Sequence, residues 1–104
     1  MIIKDILIIK EAVSDLKDGK QFYNTREKGV GTYFWNTLVS DIESLVIYAG
    51  VHRKEYGLFR MLSKRFPYAI YYTLNHQIAY VIAVLPLRRD PLWIEKRIKE
   101  RRLL

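Results

Sequence analysis

The residues of this chain best suited to chemistry are basic. Arg60, Lys64 and Arg65 fall in one short stretch ahead of Pro67, and Arg88 and Arg89 follow a second apolar stretch just beyond Pro86. Lys96, Arg97, Lys99, Arg101 and Arg102 continue the series along the last stretch of the chain. Pre-placed positive charge of this kind binds phosphates and carboxylates, and it stabilises negative charge that develops in a transition state. Arginine suits the first task, because its planar fork holds two oxygens at once. Tyr68, Tyr71, Tyr72 and Tyr80 cluster nearby. An aromatic ring beside cations can stack on a base, but at alternating strand positions most of these rings belong to packing.

Other chemistries lack their residues. No GxxxxGK[ST], GxGxxG, GxSxG or HExxH pattern occurs, and Gly29-x-Gly31 alone reads as a helix breaker. The chain has no cysteine, which removes disulfides, thiolate metal sites and cysteine nucleophiles together. His52 and His76 are 24 residues apart with no carboxylate at ligand spacing, so neither a metal nor another cofactor is expected. His52 and Glu55 have the spacing of an acid–base pair, but they share a polar loop. His76 falls in a turn, and both histidines are read as solvated.

The net charge of +7 is unevenly spread. Residues 1–50 carry six Lys/Arg against seven Asp/Glu, whereas residues 51–104 carry twelve against four, and eight of the twelve are Arg. The positive potential therefore belongs to the second half and favours an acidic or polyanionic partner. No apolar run approaches the roughly 20 residues of a membrane span. The start, Met1-Ile2-Ile3-Lys4-Asp5, has no basic n-region or cleavage site, so a cytoplasmic protein without membrane attachment is expected.

The elements that must position these cations follow from periodicity. The β-branched run 2–9 predicts a strand buried on both faces. Ala12, Leu16, Gly19 and Tyr23, flanked by Val13 and Phe22, predict an amphipathic helix to about Thr25. Thr32 is the expected N-cap of a second helix, with Trp35, Leu38, Ile42, Leu45 and Ala49 in one stripe, Phe34, Val39 and Val46 beside it, and Gly50 at its exit. A strand over 57–66 would put Arg60 and Lys64 on one face and Arg65 on the other. Strands 68–74 and 77–85 then flank a tight turn at Asn75-His76, the second of them reading as a central strand. Asp90-Pro91 reads as N-cap and first residue of a last helix, with Ile94 and Ile98 as its thin apolar stripe and Arg101-Arg102-Leu103-Leu104 at its end. The order is β-α-α-β-β-β-α over one domain, 1–104. It is an α+β design in which an N-terminal helical hairpin packs on a small, mostly antiparallel sheet, followed by a basic C-terminal helix.

These residues form a pattern. Glu11-Ala12-x-x-Asp15-Leu16 with Phe22-Tyr23, the Gly29-x-Gly31-x-x-Phe34 entry, Arg65-Phe66-Pro67-Tyr68-Ala69-Ile70-Tyr71-Tyr72, Ile82-Ala83-Val84-Leu85 and Arg88-Arg89-Asp90-Pro91-x-Trp93 occur in that order. In this the chain resembles the RelE/ParE superfamily of toxins from bacterial and archaeal toxin–antitoxin pairs. The resemblance implies a cytoplasmic toxin of the plasmid-stabilisation type, neutralised by an acidic antitoxin that is partly disordered when free. One branch of the superfamily cleaves mRNA on the ribosome without a metal, and the other inhibits DNA gyrase by binding it. After Tyr80 there is no Tyr or His, Pro86 falls where many relatives carry His, and the Trp93 indole only donates a hydrogen bond. The Phe66-Pro67-Tyr68 strand and the Arg88-Arg89-Asp90-Pro91-x-Trp93 tail are more similar to the gyrase-directed branch. On that reading Arg88, Arg89, Trp93, Arg97 and Arg101 contact the target. On the ribosomal alternative Arg60, Lys64, Arg65 and Arg89 serve cleavage, proton transfer falling on Lys64 or an arginine. A basic interaction module without toxicity, on the same fold, is the remaining alternative.

Overall fold

The computed structural model describes residues 2–102, so Met1 and the expected Leu103-Leu104 end of the last helix lie outside the described residues. The elements run β1 (Asp5–Ile8), α1 (Lys10–Arg26), α2 (Val30–Glu43), α3 (Leu45–Tyr48), β2 (Lys54–Glu55), β3 (Leu58–Leu62), β4 (Tyr68–Asn75), β5 (Ile78–Pro86) and α4 (Pro91–Arg102). The strands form one sheet in the order β1-β5-β4-β3-β2, with β1 parallel to β5 and every other pair antiparallel. The expected architecture is observed, with the short α3 and the two-residue β2 added to it.

The helical hairpin closes through small residues. Gly29, at φ +92°, is the N-cap of α2, so the helix starts at Val30 and Thr32 lies within its first turn rather than capping it. A left-handed residue at this corner is cheap only for glycine. Gly19 on α1 lies so close to the Phe34 ring that a Cβ would overlap it. The expected single second helix is interrupted at Ser44, whose hydroxyl donates to the Asp41 carbonyl (2.6 Å) and tightens the turn ahead of α3. Gly50, at φ +93°, makes the expected left-handed exit.

Two cores cover the two faces of the sheet. On one, Ala12, Leu16, Phe34, Leu38, Ile42 and Leu45 pack against Met61, Ile70, Tyr72, Val81 and Val84. On the other, Ile94 and Ile98 of α4 pack against Leu58, Ala69, Tyr71, Ala83 and Leu85. A β-bulge makes this possible: opposite Tyr71 and Tyr72 the register steps from Ala83 to Val81, leaving Ile82 as the extra residue. Without it Val81 and Val84, three apart, would point to opposite faces.

Three expectations about the strands are corrected and one holds. β1 is an edge strand buried on one face only. Ile6 and Ile8 join the hairpin core, while Leu7 is 44% exposed because no β1 residue reaches the core under α4. β5 is interior as expected, but β4 holds the middle of the sheet. The hairpin turn sits one residue later than expected: His76 and Gln77 carry the positive φ (50° and 65°), while Asn75 still pairs with Ile78. β3 ends at Leu62, because Asp41 of α2 draws the next residues into a turn, accepting from the Ser63 hydroxyl (2.6 Å) and the Lys64 N–H (3.3 Å). Lys64 and Arg65 are therefore turn residues, not strand residues.

Candidate target-binding cleft

The pairing of β1 with β5 stops at Ile8 and Val81, where the chain leaves the sheet to start α1. From Ile82 onward β5 has an open edge, and two buried side chains cap it. Asp15 of α1 accepts from the Val84 N–H (2.9 Å) and from both terminal nitrogens of Arg101, at 2.5 Å and 2.7 Å. Arg101 Nη1 also donates to the Ile82 carbonyl (3.1 Å). Pro86 has no N–H to offer at this edge. Arg101 is thus corrected: it is 8% exposed and fully engaged inside the protein, so it is not a surface contact residue. The signal for this pair lay in helical phase. Asp15 falls between Ala12 and Gly19 on the buried face of α1, and Arg101 follows Ile98 by three residues.

Beyond this pair, between α1, the end of β5 and α4, opens a cleft of about 700 Å³. Its floor is aromatic and apolar, with Phe22, Tyr23, Phe66, Tyr68 and Pro86, and four arginines line it: Arg26, Arg88, Arg89 and Arg97. Trp93 carries the Arg89 guanidinium 4.0 Å from its ring centroid and that of Arg97 at 4.4 Å. Arg26 lies over Phe22 at 4.5 Å. Stacking on a ring limits the freedom of a guanidinium while leaving its N–H edge open. Among the described residues none of these four arginines has a carboxylate within ion-pair distance, although Asp18 lines the same cleft. Burial, with lesser contributions from Tyr23, Asp15 and Asp18, pushes the Tyr68 hydroxyl up to about 12, so it stays a neutral hydrogen-bonding group.

The cleft's second wall is set by the start of α4. The Asp90 carboxylate accepts from the Leu92 N–H (2.9 Å) and its carbonyl from the Ile94 N–H (3.1 Å), with Pro91 as the first helical residue, as expected. This fixes where Trp93 and Arg97 project. Arg88 and Arg89, on the connection from β5, remain exposed. Four of the five expected contact residues therefore meet at one cleft: Arg88, Arg89, Trp93 and Arg97. Reading the sequence missed Arg26, which lies one residue past the expected end of α1, and took Phe22 only as a flank of the helix's apolar stripe.

The four candidates for RNA cleavage are not brought together. Arg60 lies on β3, with Nε 3.4 Å from Glu55 and 3.4 Å from the Tyr71 hydroxyl. Arg65 donates to the Tyr33 hydroxyl (3.2 Å) on the β3–β4 turn, which Lys64 shares, and Arg89 lines the cleft. His52 is not a solvated bystander. The Tyr72 hydroxyl accepts from the Gly50 N–H (2.9 Å) and lies 2.5 Å from His52 Nδ1. Burial holds His52 below its ordinary pKa, and its Nδ1 shares a hydrogen bond with the hydroxyl whose direction follows the tautomer of the ring. Glu55 pairs with Arg60 instead, and His76 is exposed in the turn as expected.

No protein-family model matches the chain, and no curated protein matches it. Among solved structures it is similar to a chain of a chromosomal ParDE TA system from P. aeruginosa, with a TM-score of 0.73 and 12% sequence identity over 85% of this chain and 98% of that one. The likeness is one of fold, and the fold is RelE/ParE-like, α+β, as the sequence pattern implied. Among the described residues no helix is long and apolar enough to cross a membrane.

Proposed function

We propose that this chain is the toxin of a type II toxin–antitoxin pair, and that it acts in the cytoplasm by binding DNA gyrase through Arg88, Arg89, Trp93 and Arg97. The observation that carries this reading is the set of unneutralised guanidiniums around the aromatic cleft, two of them stacked on Trp93. The fold shared with a chain of a toxin–antitoxin system supports the toxin class. Uncompensated arginines over an apolar floor suit an acidic protein surface, with bidentate carboxylate contacts at the rim and apolar burial beneath. An acidic antitoxin that folds on binding would cover the same charges. Metal-independent mRNA cleavage would need Arg60, Lys64, Arg65 and Arg89 around one phosphate, and their separation favours binding over cleavage.

The test is induction in a bacterial host of the wild-type chain and of the Arg88→Ala/Arg89→Ala variant. The expected result is growth arrest with intact transcripts for the wild type, and no arrest for the variant at an equal level of folded protein. Discrete cuts in translated mRNA would move the assignment to the ribosome. An unaffected host would leave a basic interaction module.

A further inference from the structure

α4 has few other anchors. Ile94 and Ile98 are its buried apolar side chains, with Trp93 packed beside them, and much of its remaining surface is charged. Two isoleucines on a single stripe hold a helix against a sheet but leave it free to roll. The Arg101 fork opposes that roll. It reaches Asp15 through both terminal nitrogens and the Ile82 carbonyl through one, while Asp15 also holds the Val84 N–H. One buried point thereby joins α1, α4 and the bulged part of β5, which are the three walls of the cleft.

From this geometry we infer that Asp15 and Arg101 are positioning residues. They set the rotation and spacing of α4 against α1, so that Trp93 and Arg97 face Phe22 and Arg26 across the cleft. The inference rests on the target-binding reading and adds to it two residues that are buried and engaged with each other and with β5. Lysine at 101 would keep the charge but lose the two-point hold, because an ammonium is a point charge without a fork. Asparagine at 15 would keep an acceptor for Val84 and lose the ion pair.

Trp35→Phe leaves Trp93 as the single tryptophan, so its fluorescence reads the cleft directly. In that background Arg101→Lys and Asp15→Asn are compared with Leu38→Ala, a destabilising change in the hairpin core away from the cleft. All are measured well below their melting temperatures, with helix content checked by far-UV circular dichroism. In both pair variants acrylamide quenching of Trp93 should rise toward that of a free indole. Gyrase inhibition should weaken by about tenfold, the equivalent of one well-made contact. Leu38→Ala should change neither while lowering Tm at least as much. A folded Arg101→Lys or Asp15→Asn with wild-type quenching and inhibition would overturn the inference, as would an equal loss in Leu38→Ala. Failure of both pair variants to fold would also overturn it, in favour of a purely structural role. If the wild-type chain does not inhibit gyrase, the target reading falls, and Trp93 quenching alone still decides whether the pair positions α4.

Discussion

Replacing glycine by alanine inside a helix ordinarily stabilises it by about 1 kcal/mol. At Gly19 the sign should reverse. A Cβ there would overlap Cζ and Cε2 of Phe34, whose side chain is fully buried. That ring is boxed in by Tyr23 (5.2 Å between centroids), Phe66 (5.1 Å) and Tyr68 (4.8 Å), so it cannot swing aside. Overpacking of this kind costs about 1–3 kcal/mol, which leaves Gly19→Ala destabilising by up to about 2 kcal/mol after the propensity gain. Phe34→Ala alone opens a cavity and should cost about 3–5 kcal/mol. In the Phe34→Ala background the clash is gone, and Gly19→Ala should become stabilising by about 1 kcal/mol. The coupling between the two sites is then about 1–3 kcal/mol, within the range for residues in direct contact. Urea denaturation resolves this, because 1 kcal/mol moves the midpoint by about 0.3–1 M for a small domain. A Gly19→Ala single variant more stable than wild type would refute the close helix crossing.

Asp41→Ala removes the buried acceptor that holds the Ser63 hydroxyl and the Lys64 N–H, and should cost about 1–3 kcal/mol in urea denaturation. His52, held below its ordinary pKa by burial, favours the neutral form in the folded state. Its contribution to stability is therefore complete above the unfolded value and is lost as the pH falls. Tm should decline on acidification below about 6.5, with a smaller slope in His52→Gln, and an unchanged slope would contradict this. Tyr68, raised to about 12 from 10.0, works in the opposite direction. It contributes stability below pH 10 and loses it between 10 and 12, so Tyr68→Phe should flatten the alkaline side of the Tm profile.

Much of the scaffold was legible because its signals are local. Gly50 at a helix exit, Asp90-Pro91 at a helix start and the β-prone 68–74 run each act within a few residues. The edge position of β1 was not legible, since Ile2-Ile3 and Ile6 to Ile9 read alike whether one face or both are covered. The displaced β3 end depends on Asp41, more than twenty residues away from the Ser63 and Lys64 it holds. The Asp15–Arg101 pair spans 86 residues and forms only once the sheet has brought α1 and α4 to one edge. Arg88, Arg89, Trp93 and Arg97, which line one cleft, could be grouped in advance because cations and an indole at helical and turn spacing are visible in sequence. Arg101 was misplaced because a charged residue in a basic run carries no mark of the carboxylate that buries it.

The most direct measurement is a gyrase supercoiling assay with the purified protein, the Arg88→Ala/Arg89→Ala variant and an unrelated protein of the same net charge at the same salt. The control is needed because a +7 protein binds DNA non-specifically. Inhibition at stoichiometric wild-type protein, lost in the variant and absent with the control, is the expected result. Equal inhibition by the variant or by the control, or none by the wild type, would contradict the assignment of the arginine-lined cleft to gyrase.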